Sequence, residues 1–80
     1  MALGRLDKEL YRKLAELRRE IALDHNMPAY RVMNNEALRA LATLKPTTKE
    51  GALRIRGIGR RTCEHYIDSF LYEIQSHEGL

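Results

Sequence analysis

Leu6, Leu10, Leu14, Leu17 and Ile21 recur at spacings of four, four, three and four. At about 100° per residue they fall within an arc of roughly 80° on one helix. The intervening positions are mostly charged, and Glu9–Lys13 and Arg12–Glu16 have the i,i+4 spacing of a solvated helical face. The pattern predicts a helix over about residues 5–24. It should stop near Asn26, because Pro28 lacks an N–H and disfavours helical geometry at Met27. Residues 26–34 form an apolar connector in which Met27, Tyr30, Val32 and Met33 need cover, with Val32 and Met33 expected to cap the core. Asn34 or Asn35 then caps a second helix with Glu36 in its first turn. That helix is expected to turn Leu38, Leu41 and Leu44 inward and to end before Pro46.

Thr47 and Glu50, three apart, read as a capping box opening a short helix through Leu53 and Ile55. A last helix is predicted after Gly59. Cys63, Ile67, Phe70, Leu71 and Ile74 lie within about 100° of its arc, and Glu64, Asp68 and Glu73 fall outside it. No segment alternates with period two, and no repeat or low-complexity stretch occurs. The fold class is all-α, with the two longest helices packing the smaller ones.

Eighty residues make one domain, 1–80. Its ordered core is expected over about residues 5–76, with 1–4 and 77–80 fraying or foreign to the native chain. A chain of this size buries about 60% of its unfolded surface, so the core is small. One cysteine, Cys63, excludes an internal disulfide and a cysteine-only metal site. No apolar run reaches the roughly 18–20 residues of a membrane span, and nothing resembles a signal peptide. The expectation is a monomeric domain of an intracellular protein, in cytoplasm, nucleoid or nucleus, without membrane contact.

The net charge of +3 is unevenly spread. Residues 1–61 hold all 14 Lys and Arg against seven acids, a balance of +7, whereas residues 62–80 hold four acids and no Lys or Arg. Such asymmetry suggests a basic side for polyanions and an acidic side that avoids them; the plainer alternative is mixed charge for solubility.

The densest chemistry lies in residues 53–66. Gly57-Ile58-Gly59 forms a tight turn between two helices, Ile58 can plug the core, and the next helix opens with Arg60-Arg61. Its unpaired N–H groups, ringed by Arg54, Arg56, Arg60 and Arg61, make an anion site of the helix-hairpin-helix kind, suited to gripping nucleic-acid phosphates without reading sequence. The alternative is an αα corner whose arginines are merely solvated.

Across residues 10–74 the chain resembles the HRDC domain, the helicase-and-RNase-D C-terminal module best known from RecQ-family DNA helicases. The resemblance rests on LAELRREIA at 14–22, MPAYRV at 27–32, Ala37-Leu38, KPTT at 45–48, IRGIG at 55–59, and Glu64-His65-Tyr66 with Phe70-Leu71, in family order and spacing. It implies a compact five-helix bundle whose fifth element is a helical turn near residues 30–33. It also implies a non-catalytic accessory role: weak binding of single-stranded or branched DNA that tunes how a RecQ-type helicase engages DNA. Tyr30 and Arg31 occupy positions that touch DNA in several family members, and an exposed tyrosine can stack on an unpaired base; the alternative for Tyr30 is a ring packed on the core. ATP and Mg would belong to the parent helicase, and no cofactor is expected for the domain.

Ala29 stands where the family often has a second proline, Thr62 where a basic residue is common, and His65 replaces a stronger base. HRDC domains also vary in charge, and some act through protein contacts. A regulatory docking role through Glu64, Asp68 and Glu73, toward the helicase core or a partner, is therefore the alternative, as is an RNase-D-type parent. His25, His65 and His77 lack zinc-like partners, so no metal site is expected. Cys63 reads as a core residue and no catalytic group is expected. Tyr11, Tyr66 and Tyr72 are expected to pad the core edge.

Overall fold

Asp7 starts the first helix by accepting the Leu10 N–H on Oδ1 at 3.0 Å. In the computed structural model, which describes residues 4–79, that helix, α1, is Lys8–Asp24. It begins later than the expected start near residue 5, so Leu6 precedes the cap and packs at the core edge from outside the helix. Helix α1 itself buries Leu10, Leu14 and Ala22, with Leu17 and Ile21 at the edge. Asn26 then takes a positive φ of 54° and Pro28 redirects the chain. A single helical turn follows, α2 (Ala29–Val32), which delivers Val32 and Met33 to the core at 1% and 2% exposure, as expected.

Asn34 is the cap of α3 (Asn35–Leu44), its Oδ1 accepting the Ala37 N–H at 2.7 Å. Leu38 and Leu41 are fully buried, but Leu44 is 52% exposed, contrary to the inward placement its spacing predicts. It sits at the last position of α3, and the left-handed Lys45 (φ 50°) turns the chain away before Pro46. Thr48, not Thr47, caps α4 (Lys49–Leu53), accepting the Gly51 N–H at 3.0 Å. The cap thus falls one residue later than the capping-box spacing suggests.

The predicted last helix is two helices, α5 (Arg60–His65) and α6 (Ile67–Glu78), so the described residues form six helical elements rather than five. Tyr66 breaks them apart with φ −129° and ψ −23°, while its N–H still reaches the Thr62 carbonyl at 2.9 Å. Cys63, Ile67, Phe70, Leu71 and Ile74 are buried on both sides of the break. Because the apolar stripe continues across it, periodicity carries no trace of the kink. The described residues contain helices and no strands.

Helix α1 is the spine, contacting α2, α3 and α6, while α4 and α5 pack on each other and on α6. The radius of gyration is 11.6 Å, the value of about 12 Å expected for a packed chain of this length. Polar contacts lock the helix ends. Arg18 Nη1 donates to the Met33 carbonyl and to Asn35 Oδ1, both at 2.9 Å, tying α1 to the connector. His77 Nε2 lies 2.9 Å from Asp7 Oδ2, and its Nδ1 lies 3.1 Å from the Lys13 ammonium. An ammonium can only donate, so Nδ1 accepts and the ring proton sits on Nε2, facing Asp7. His77 and Glu78, within the stretch expected to fray, lie in α6 and join this network; residues 1–3 and 80 lie outside the described residues.

Candidate nucleic-acid interface

Past Leu53 the chain makes two tight turns, with the Ile55 N–H on the Ala52 carbonyl at 3.0 Å and the Ile58 N–H on the Ile55 carbonyl at 3.1 Å. Ile55 and Ile58 are buried at 6% and 3% exposure, so these two side chains pin the corner to the core. The two glycines do different jobs. Gly57 has φ +96°, and a Cβ there would lie 2.8 Å from Asn34 Nδ2. Its missing side chain lets the corner seat against the cap of α3. Gly59 is the N-cap of α5 with ordinary extended geometry, and a Cβ there would meet nothing within 4 Å.

Pinning Ile55 and Ile58 turns Arg54, Arg56, Arg60 and Arg61 outward, and all four are exposed. Arg31, on α2, is exposed as well. None of these five arginines forms an ion pair among the described residues. Nearby acids do not neutralise them: Asp68 Oδ1 faces Lys49 Nζ at 3.5 Å. The N–H groups of Arg60, Arg61 and Thr62 also have no acceptor among the described residues. Since α5 is six residues long, its dipole is small and the guanidinium groups dominate the local field.

The predicted residues separate into two depressions with no lining residue in common. Arg31 and Arg61 meet in a cleft of about 450 Å³ with His25, His65 and Tyr66, whose ring packs edge-on to His25 at 5.5 Å. Arg54 and Arg56 line a separate groove of about 570 Å³ against α3. Tyr30 and Arg60 line neither. Tyr30 is 70% exposed, which removes the core-packed reading of its ring. Tyr72, expected at the core edge, is 72% exposed, whereas Tyr11 and Tyr66 are half-buried there.

The three acids of the docking alternative differ in their surroundings. Glu64 is exposed without an ion pair among the described residues, Asp68 turns to Lys49 of α4, and half-buried Glu73 faces Arg12 and Lys13 of α1. Sequence reasoning missed Arg39 at the groove and His25 in the cleft; both were visible as residues, but nothing local ties them to positions 54–66.

Two other groups bear on chemistry. Asp7, His77 and Glu78 bring ligand atoms within 4.8 Å of one another. Lys45 Nζ already sits between the acids, 3.2 Å from Asp7 Oδ2 and 3.0 Å from Glu78 Oε2, where a cation would go. The Leu10 N–H, then His77 and Lys45, hold the Asp7 carboxyl well below the usual carboxylate range. The two carboxylates in turn push Lys45 up. Cys63 is buried and its thiol is pushed up by desolvation, which disfavours the nucleophilic thiolate. No helix among the described residues is long and apolar enough to cross a membrane.

The HRDC domain family matches residues 7–74 of the chain. An ATP-dependent DNA helicase RecQ of Pasteurella multocida is 39% identical over 77 residues, covering 96% of this chain and 12% of the helicase. RecQ of Haemophilus influenzae is 35% identical over 74 residues, covering 92% of the chain and 12% of that protein. The ATP-dependent DNA helicase UvrD2 of Mycobacterium tuberculosis H37Rv is 39% identical over 61 residues, covering 76% of the chain and 9% of the helicase. The chain therefore spans about an eighth of the length of the RecQ relatives.

Proposed function

The chain belongs to the HRDC domain family, and on that premise we propose that it is a non-catalytic accessory module that binds DNA phosphates weakly for a RecQ-type, ATP-dependent helicase. The observation that carries this reading is the set of exposed arginines, Arg31, Arg54, Arg56, Arg60 and Arg61, with no carboxylate partner among the described residues. Guanidinium groups without internal partners are free to replace counterions on a polyanion. Gly59 leaves open space over the start of α5, so a sugar-phosphate backbone can approach the Arg60 and Arg61 N–H groups closely. Tyr30 beside Arg31 offers a flat face to an unpaired base, which favours single-stranded or branched DNA. ATP and Mg serve the parent's motor, and the domain acts as a monomer in the compartment that holds the DNA.

Docking through the acidic residues has weaker support, because Glu64, Asp68 and Glu73 point to different neighbours. Fluorescence anisotropy with a labelled single strand tests the DNA reading. If about four arginines meet phosphates, affinity should fall on the order of 100-fold between 50 and 200 mM salt. Arg60→Glu with Arg61→Glu should abolish binding with helicity and melting unchanged. Tyr30→Ala should weaken single-strand binding about 5-fold or more, and Tyr30→Phe should preserve it. Binding that is absent at low salt, or indifferent to the double charge reversal, refutes the proposal.

A further inference from the structure

The groove of about 570 Å³ between α3 and the 54–56 segment has a composition that phosphate binding does not require. Its floor is apolar: Ala40 and Leu44 from α3 face Ile55 across it. Leu44 is 52% exposed, an uncovered branched side chain at a helix end. The Thr43 hydroxyl donates back to the Arg39 carbonyl at 2.9 Å, so it is satisfied within α3. The rim carries Arg39, Arg54 and Arg56, none ion-paired among the described residues, against one acid, Glu36.

We infer that this groove is a docking site for an acidic protein segment bearing an apolar or aromatic anchor. The anchor covers Leu44 and Ile55, and the flanking carboxylates meet Arg39, Arg54 and Arg56. Charge complementarity selects this occupant. A second copy bound isologously would set these three arginines against the same three, which like-charge repulsion opposes. A nucleic-acid backbone would satisfy the rim and leave the apolar floor unused. The inference does not depend on DNA binding, but Arg54 and Arg56 serve both surfaces, so an acidic segment in the groove and DNA at the corner exclude each other.

The test uses a fluorescein-labelled peptide of alternating Asp and Phe and a comparator of alternating Asp and Ser, titrated into the 80-residue chain with amide shifts followed by NMR. The Asp–Phe peptide should shift residues of the groove and bind at least ~10-fold tighter than the Asp–Ser peptide, the gain expected from burying an aromatic anchor. Leu44→Ser and Arg39→Glu, both outside the proposed DNA contacts, should each weaken it ~10-fold or more, while Leu44→Ser leaves DNA affinity unchanged. Arg60→Glu with Arg61→Glu should remove DNA binding and spare the peptide, so the two readings fail separately. Equal affinity for both peptides, or shifts mapping elsewhere, overturns the proposal. So does a concentration-dependent dimer abolished by Leu44→Ser, which would give the groove to a second copy.

Discussion

Replacing Gly57 with alanine would put a methyl carbon 2.8 Å from Asn34 Nδ2 and 3.4 Å from the Ala37 Cβ, on a residue held at φ +96°. A positive φ costs a non-glycine residue about 1–2 kcal/mol. The contact also forces Asn34 to move, and Asn34 Oδ1 is the acceptor that caps α3. Losing such a cap costs about 1 kcal/mol. Together these predict a loss of ~2–3 kcal/mol, against a total stability of about 4–12 kcal/mol for a domain this size. The melting temperature should fall by on the order of 10–25 °C. Urea unfolding followed by circular dichroism measures the loss directly. Gly59→Ala is the control, since its Cβ would be free and φ −93° is ordinary; it should change stability by less than about 1 kcal/mol. Adding Asn34→Ala completes a double-mutant cycle. If Gly57→Ala already displaces the cap, the double variant should lose ~1 kcal/mol less than the sum of the singles. A Gly57→Ala variant within about 0.5 kcal/mol of the parent, or a strictly additive cycle, would refute this account of the corner.

Arg18→Met should destabilise the domain by about 1–3 kcal/mol in the same unfolding assay, because it orphans the Met33 carbonyl and removes the tie from α1 to the connector and the start of α3. Asp7 predicts an acid response of definite sign. Its folded-state pKa is depressed, so as pH falls the unfolded chain takes up the proton first. The stability it contributes is complete above its ordinary value of 3.8 and is lost progressively below it. Unfolding midpoints from about pH 5 to about pH 2 should therefore fall less steeply in Asp7→Asn than in the parent, and parallel profiles would refute the assignment.

Much of the fold was legible because its signals are local. The stripe from Leu10 to Ile21, the stop before Pro28, a cap at one of the two adjacent asparagines and the buried Val32–Met33 pair all follow from spacing and side-chain chemistry within a few residues. The misses share a cause. Leu44 obeys the apolar spacing of α3 yet lies uncovered, because exposure at a helix end depends on what packs beside it. The Tyr66 kink escaped because the core on either side still wants the same apolar face. At the corner, the run of arginines was plain, but whether carboxylates elsewhere neutralise them is a question of packing.

The order of amino acids by itself determined the helical class, the core-facing stripes, the principal breaks and the kinship with HRDC domains, since each is written in spacings of one to a few turns. Tertiary structure alone decided that Gly57 seats against Asn34 and that Arg31 shares a cleft with Arg61. It also closed the network in which His77 reaches back 70 positions to Asp7. Such contacts join residues far apart in the chain, and no periodicity encodes them; they exist only once burial of the shared core has fixed how the helices lie against one another.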